Sequence, residues 1–236
     1  MIKIIMIKIN TLNKKYGKHQ VVKDLSLEVP KGTMFGFLGP NGAGKTTAIK
    51  MIVGLNLPDS GQISINDKEV SANQNREDIG FMPEDPYFYD HLTALEFLSF
   101  MKNFFKKKCK QPAEVLRMVG LEDAAKKKIN TFSKGMKQRL GLAQAIINDP
   151  DYLFLDEPLD GLDPIGRREF KHILLDLKKE GKTIFFNSHI LSDVEEICDQ
   201  IGVINKGALI YAGPVKKFCN GKTLEDAFVQ KIEGEK

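Results

Sequence analysis

The stretch Gly39-Pro40-Asn41-Gly42-Ala43-Gly44-Lys45-Thr46-Thr47 decides how this chain folds. It matches the pattern G-x-x-x-x-G-K-[ST] of the Walker A loop. An apolar run at 34–38 precedes it, and a second apolar segment at 48–53 follows it. This is the strand–loop–helix context that the motif requires, so the sequence predicts a phosphate-binding loop between a buried strand and a helix.

The residue types of this loop suit a polyphosphate. Glycines let the backbone wrap closely with its N–H groups pointing inward, and the start of the helix adds partial positive charge. Lys45 can reach the outer phosphates, and the Thr46 hydroxyl can ligate Mg²⁺. The loop alone leaves GTPases, nucleotide kinases and ATPases open. The segment 205–208 (NKGA) lacks the Asp of a guanine-reading Asn-Lys-x-Asp motif, which weakens the GTPase interpretation.

Short β-rich runs alternate with helical patterns, which indicates an α/β fold with a largely parallel sheet. The predicted strands are 21–29, 33–38, 62–65, 79–82, 152–155, 183–187, 201–205 and 208–212, and the apolar start at 1–9 also reads as a strand. Thr93 with Glu96 and Ser192 with Glu195 are predicted capping boxes. The dipeptide Asp163-Pro164 predicts another helix start.

Composition limits the class of protein. With 236 residues, 42% hydrophobic and 28% charged, the chain is predicted to be globular, and a formal net charge of +4 does not suggest a nucleic-acid coat. The three scattered cysteines, Cys109, Cys198 and Cys219, support neither a disulfide framework nor a zinc site, so we expect a reducing compartment. No apolar run approaches the roughly 18 residues that cross a bilayer. At a membrane, a partner would have to supply the span.

A second site is predicted where the apolar run 152–155 ends in Asp156 and Glu157. Asp156 is placed to hold Mg²⁺ through water, because this ion prefers hard oxygen ligands. Glu157 lies one residue further on, where a carboxylate can orient an attacking water and accept its proton.

One segment resembles the ABC signature, usually written L-S-G-G-Q; it reads Phe132-Ser133-Lys134-Gly135-Met136-Lys137-Gln138-Arg139. Its serine, Ser133, lies 23 residues before Asp156. Together with the two sites above, residues 6–213 resemble an ABC-type ATPase subunit of a membrane transporter. The resemblance implies a P-loop NTPase, RecA-like core with an antiparallel β subdomain and an inserted helical subdomain. It places the core at 1–84 and 149–213, the helical subdomain at 85–148 and a C-terminal helix and tail at 214–236.

The resemblance also implies roles for single residues. Tyr16 matches the aromatic that stacks on adenine, Asp160 belongs to the D-loop segment 159–163, and His189 matches the switch histidine that contacts the γ-phosphate. Ser133 would cap the helix that follows it, and its hydroxyl and the Gly135 amide would face the ATP of a second subunit. MgATP would then lie between two head-to-tail copies, each bound by one Walker A loop and the opposite signature. The other histidines, at 19, 91 and 172, are expected at the surface.

Two positions depart from the family pattern. Glu84 stands where most members have the Q-loop glutamine, and its carboxylate can still ligate Mg²⁺ or water. The signature has Lys134 and Met136 where Gly and Gln are usual, and Lys134 would add a cation next to the partner's phosphate. Both departures resemble the ABC-2 exporter branch, whose membrane subunit is a separate chain.

Two functions from different classes follow. The first is an ATPase, on the cytoplasmic face of the membrane, that energises an exporter as a homodimer bound to separate membrane subunits. The second is a soluble ABC-type ATPase of an assembly or nucleic-acid machine. A single ATPase unit and an aromatic-rich segment after Glu84 favour the first. That segment reads either as a subdomain core with a solvated face or as a docking surface for a membrane partner. A regulator with little hydrolysis is disfavoured, because Glu157 and His189 are both present.

Overall fold

A computed structural model describes residues 5–70, 77–106 and 109–234. The chain divides into two units, Met1–Gln74 with Phe185–Lys236, and Asn75–Ile184. The described strands are β1 (Ile5–Tyr16), β2 (His19–Pro30), β3 (Met34–Leu38), β4 (Ser60–Ile65), β5 (Lys68–Glu69), β6 (Ile79–Met82), β7 (Tyr152–Asp156), β8 (Thr183–Asn187), β9 (Gln200–Asn205) and β10 (Ala208–Pro214). The described α-helices are α1 (Lys45–Ile52), α2 (Ala94–Lys102), α3 (Pro112–Met118), α4 (Lys134–Ile146), α5 (Pro164–Lys179), α6 (Leu191–Ile197), α7 (Val215–Cys219) and α8 (Leu224–Glu233).

The first unit contains an antiparallel sheet in the order β2-β1-β4-β5. Its register pairs Ile7 with Ile65 and Ile9 with Ile63, and all four side chains are buried. The register shifts between Ile9 and Leu12, around Thr11, whose φ is 43°. Because Leu12 is also fully buried, the shift keeps the apolar face of the strand turned inward beyond the bulge.

The same unit carries the strand that leads into the phosphate loop. All five residues of β3 are buried, and β3 pairs in parallel with β9, from Phe35 opposite Gln200 to Leu38 opposite Val203. Phe185 stacks on Phe35 with ring centroids 5.2 Å apart. Burial on both faces explains why this strand reads as a continuous apolar run.

In the second unit, β6 and β7 pair in parallel, and α4 packs closely on β6. Gly80 makes this close approach possible, because a Cβ at this position would stand 2.0 Å from the carbonyl oxygen of Ala145. Just after α4, the fully buried Asn148 donates hydrogen bonds to the carbonyl oxygens of Glu77 and Ile79, at 2.7 and 3.3 Å. Helix α4 is thereby fixed to the strand before Glu84.

The structure confirms the eight predicted strands within a few residues at their ends, and the apolar start is a strand from Ile5 onward. Residues 1–4 lie outside the described residues. Helix starts at Thr93, Ser133 and Asp163 are confirmed, and Thr93 with Glu96 forms a reciprocal capping box.

The predicted capping box of Ser192 and Glu195 is wrong. Helix α6 already begins at Leu191, after Ile190, and has no side-chain cap. The turn before it is fixed instead by the hydroxyl of Ser188, which accepts the Ile190 N–H at 3.0 Å. Glu195 serves a different helix, since its carboxylate accepts the N–H of Leu224 at 3.0 Å, in the first turn of α8.

Candidate functional site

The phosphate loop is shaped by three glycines in the first unit. Gly42 and Gly44 have φ values of 77° and 106°, in the left-handed region that favours glycine. Gly39 is required for space, because a Cβ there would stand 2.4 Å from the carbonyl oxygen of Ile204. Within the loop, the N–H of Ala43 donates to the carbonyl oxygen of Pro40 at 3.1 Å. Residues 39–44 therefore form one tight turn between β3 and α1, and the last three of the nine predicted residues, 45–47, form the first turn of α1.

Lys45 opens helix α1 and lies over the loop that precedes it. Its ammonium is buried and donates to the carbonyl oxygens of Gly39 at 2.8 Å and Pro40 at 3.3 Å. The N-cap of α1 is Gly44, which supplies no side-chain hydrogen bond to the first-turn amides. Thr46 and Thr47 follow in that first turn and are half-buried. A helix N-terminus beside a buried ammonium fits an anionic ligand such as a phosphate.

Tyr16 ends strand β1 with 49% of its surface exposed. Its hydroxyl accepts a hydrogen bond from the side-chain amide of Asn56 at 3.0 Å, and the Lys14 ammonium lies 5.6 Å from the ring centroid. Lys14 also pairs with Asp59 at 3.0 Å. The ring is thus held in place at an exposed position, as a stacking platform requires. Neither Asn56 nor Lys14 was predicted, because both contacts depend on the packing of the first unit.

His189 lies in the first unit, two residues after strand β8 ends, and its side chain is exposed beyond the buried Ser188. This is the position that the sequence predicts, at the end of a buried strand. The histidines at 19, 91 and 172 are also exposed, as expected.

The acidic strand end lies in the second unit. Asp156 is the last residue of β7 and is 1% exposed, while Glu157 just beyond it is 8% exposed. Glu157 has a φ of 49°, an uncommon conformation for a residue with a side chain, and its carbonyl oxygen accepts the N–H of Asp160 at 3.1 Å. Buried carboxylate oxygens are the hard ligands that Mg²⁺ prefers, so the residue types fit this ion.

Glu84 lies beyond β6, with its side chain exposed. Its carbonyl oxygen accepts a hydrogen bond at 3.3 Å from the side-chain amide of Gln138, which is 3% exposed on α4. A Cβ on Gly141, one turn further along α4, would stand only 3.2 Å from Pro86. The segment that carries Glu84 is therefore packed against helix α4, which begins within the signature.

Ser133 caps helix α4, since its hydroxyl oxygen accepts the N–H of Met136 at 3.2 Å. The next side chain, Lys134, reaches the segment after β7, where its ammonium lies 2.8 Å from the Asp160 carboxylate. This hydrogen bond with Asp160 raises the pKa of the Lys134 ammonium above its ordinary value. Arg139, further along α4, donates to the carbonyl oxygen of Val119 at 3.0 Å.

Residues of the signature and of the segment after Asp160 line one open groove of about 500 Å³. Its lining includes Ser133, Lys134, Gly135, Met136, Gly161 and Leu162. The structure thus brings two predicted segments of the second unit together. Sequence reasoning missed this, along with the roles of Gln138 and Arg139, because every contact joins residues at least 20 positions apart.

Residues 22–160 match the family model described as ABC transporter. An uncharacterized ABC transporter ATP-binding protein of Synechocystis is 48% identical over 202 residues, 83% of this chain, but the chain spans only 57% of that relative's length. The lantibiotic transport ATP-binding protein SrtF of Streptococcus pyogenes is 39% identical over 231 residues, which cover 98% of this chain and 99% of that protein.

A solved ATP-binding subunit of an ABC transporter superposes with a TM-score of 0.86 at 29% identity, over 96% of this chain and 99% of that one. This likeness confirms the predicted P-loop NTPase fold. Within residues 5–70, 77–106 and 109–234, none of the helices combines the length and apolar character needed to cross a bilayer. The chain therefore belongs to the ATP-binding proteins of the ABC transporter family.

Proposed function

We propose that the chain is the ATP-hydrolysing subunit of an ABC transporter and that it works as a homodimer on separate membrane subunits. The phosphate loop carries this proposal, because the buried ammonium of Lys45 and the N-terminus of α1 lie together directly after the buried strand β3, as an anion site requires. The likeness to SrtF, whose name describes lantibiotic transport, supports a transport role. The signature variant with Lys134 and Met136 supports export as the direction.

In this proposal residues 39–47 hold the phosphates of ATP and Tyr16 stacks on the adenine. Oxygen atoms of Thr46, Asp156 and Glu84 hold Mg²⁺ directly or through water. When bound, Mg²⁺ neutralises charge on the phosphate oxygens. The exposed position of Tyr16 and the burial of Asp156 are compatible with these roles.

Glu157 is the proposed general base. Its carboxylate orients a water molecule and accepts a proton as the water oxygen bonds to the γ-phosphorus, while the bond to the leaving ADP oxygen breaks. His189 donates a hydrogen bond to the γ-phosphate. A positioned base of this kind contributes typically about 10²–10⁴-fold in rate.

The segment 133–136, through the Ser133 hydroxyl and backbone amides, and the backbone around Asp160 are proposed to contact the ATP that is held by the second copy. The Ser133 hydroxyl and the backbone amide of Gly135 lie at the positive end of the 13-residue helix α4, which suits a γ-phosphate. Each charge-assisted hydrogen bond made there contributes roughly 1.5–3 kcal/mol. Cleavage of the γ-phosphate removes these bonds, so the two copies separate after hydrolysis.

The membrane partner is proposed to dock on the inserted helical subdomain, residues 85–148, at the cytoplasmic face of the membrane. The remainder of the proposed division is a core at 1–84 and 149–213 with a C-terminal helix and tail at 214–236. Tyr87 is 88% exposed and Phe104 66% exposed, and the rings of Phe100 and Phe104 meet edge to face at 5.0 Å. An aromatic surface of this kind favours burial by a protein partner.

The docking proposal is tested by capture from detergent-solubilised membranes. The tagged chain is expected to retain an integral membrane protein, and Tyr87→Ala combined with Phe104→Ala is expected to reduce that retention. Val229→Ala, at an exposed position of α8, is the matched control. Retention that is equal in all three chains would contradict docking at this surface.

Hydrolysis is tested with Glu157→Gln, which keeps the size of the side chain and removes the base. We expect the rate of ATP hydrolysis to fall at least about 100-fold, while ATP-dependent dimers accumulate in size-exclusion chromatography. Glu180→Gln, at the exposed C-cap of α5, is the matched control and is expected to hydrolyse ATP at the parent rate. Equal rates for Glu157→Gln and the parent would refute the assignment of the base.

A further inference from the structure

The Lys134 side chain joins two segments that are 26 residues apart in sequence. Lys134 is the first residue of α4, and Asp160 lies in the turn that follows Glu157. The ammonium donates to the Asp160 carboxylate at 2.8 Å, and the side chains are 62% and 39% exposed. The signature loop is thus tied to this turn within a single copy of the chain.

The turn itself leaves room for the lysine. Gly161 has a φ of 70°, and a Cβ at this position would stand 2.3 Å from both Cε and Nζ of Lys134. The end of the lysine side chain therefore lies directly over the backbone of Gly161. Together with the ion pair, this packing gives Lys134 two contacts with the same turn.

We propose that Lys134 is a positioning residue, which acts through Asp160 to hold residues 160–163 against the start of α4, so that both segments meet the second copy as one surface. The proposal rests on the proposed function, in which that surface contacts the ATP of the second copy. In this proposal the ammonium of Lys134 binds Asp160 of its own chain, and the second copy's phosphate is contacted by the Ser133 hydroxyl and by backbone amides.

A charge exchange tests this assignment. Lys134→Asp, Asp160→Lys and the double variant are compared with the parent by measuring ATP hydrolysis as a function of protein concentration. Each single variant creates a like-charge pair in both copies of the dimer, so the protein concentration at half-maximal rate is expected to rise about tenfold. The double variant restores the ion pair and is expected to return to within about threefold of the parent.

Two measurements separate positioning from a loss of structure. The melting temperature and the affinity of the isolated chain for a fluorescent ATP analogue are expected to stay at the parent values in every variant. Exchange of the exposed pair Lys179 and Asp176, 2.7 Å apart on α5, is the matched control and is expected to leave hydrolysis unchanged. If Lys134→Asp does not fold, Lys134→Gln and Asp160→Asn are used instead. The protein concentration at half-maximal rate of their combination is expected to be no higher than that of the more impaired single variant.

Direct contact of Lys134 with the second copy's phosphate predicts a different outcome. The exchanged chain would then place a carboxylate against the phosphate and remain as impaired as Lys134→Asp. The proposal would be overturned if the double variant recovered less than half of the rise in the protein concentration at half-maximal rate, measured on a logarithmic scale. It would also be overturned if the single variants matched the parent. A parent chain that never dimerises with ATP would refute the proposed function and this inference together, whereas a dimerising parent without rescue refutes the inference alone.

Discussion

Gly80 lies on β6 where α4 comes closest to the strand, and a single methyl group there should separate them. A Cβ at Gly80 would stand 2.0 Å from the carbonyl oxygen of Ala145, 2.8 Å from Leu153 and 2.9 Å from Pro150. Real Cβ atoms essentially never come within 3.0 Å of such neighbours, so the backbone of α4 must retreat by about 1 Å. We expect Gly80→Ala to lower the free energy of unfolding by about 3 kcal/mol. For a chain of this length, that corresponds to a melting temperature lower by roughly 6–12 °C.

Equilibrium unfolding in guanidinium chloride, followed by circular dichroism, measures this change. Gly141→Ala is the matched control, because it adds the same methyl group to α4 itself, 3.2 Å from Pro86. Its gain in helix propensity, about 1 kcal/mol, offsets the tight contact, so its stability should stay within about 1 kcal/mol of the parent. A Gly80→Ala chain that unfolds at the same denaturant concentration as Gly141→Ala would refute the argument from the close approach.

Three further predictions concern single residues. Lys45→Ala should abolish measurable ATP binding in calorimetry, because the anion site loses its buried ammonium, whereas Lys50→Ala in the last turn of the same helix should bind as the parent does. Ser133→Ala should lower the free energy of unfolding by about 1 kcal/mol, measured by denaturant titration, since the Met136 N–H loses its acceptor. Burial raises the pKa of Asp149, but Lys182 and Lys110 outweigh it and hold the pKa below its ordinary value. At a pH above the pKa of Asp149 in the unfolded chain, the ionised carboxylate therefore stabilises the fold, and this stabilisation is lost as the pH falls through the lower pKa of the folded chain. On acidification, the urea midpoint of Asp149→Asn should therefore decline less than that of the parent.

The sequence predicted those helices and strands whose ends depend on contacts between residues close together in the chain. Thr93 and Glu96 are neighbours on one turn, so their capping box depends on nothing else in the chain. The same spacing at Ser192 and Glu195 was misleading, because Ser and Glu three residues apart also occur inside a helix. There the contact that matters, between Glu195 and the N–H of Leu224, spans 29 residues and leaves no local pattern.

The candidate site follows the same rule. The loop at 39–47 and the strand end at Asp156 are each a single short stretch of sequence. In the structure the loop follows a buried strand and Asp156 ends one, as their sequence patterns predict. What the pattern could not predict are side chains that serve another segment, such as Gln138, which donates to the carbonyl oxygen of Glu84 from 54 residues away. Such pairings depend on which faces of α4 are covered, and a single sequence does not encode that in any short spacing.

The backbone at Glu157 has a consequence for any attempt to make this protein more durable. A left-handed conformation costs a residue with a side chain roughly 1–2 kcal/mol relative to glycine, so Glu157→Gly would relieve that backbone strain. The same change would delete the proposed base. Selection for heat resistance and selection for turnover therefore pull this one position in opposite directions, and thermostable variants of this chain should be assayed for turnover before they are kept.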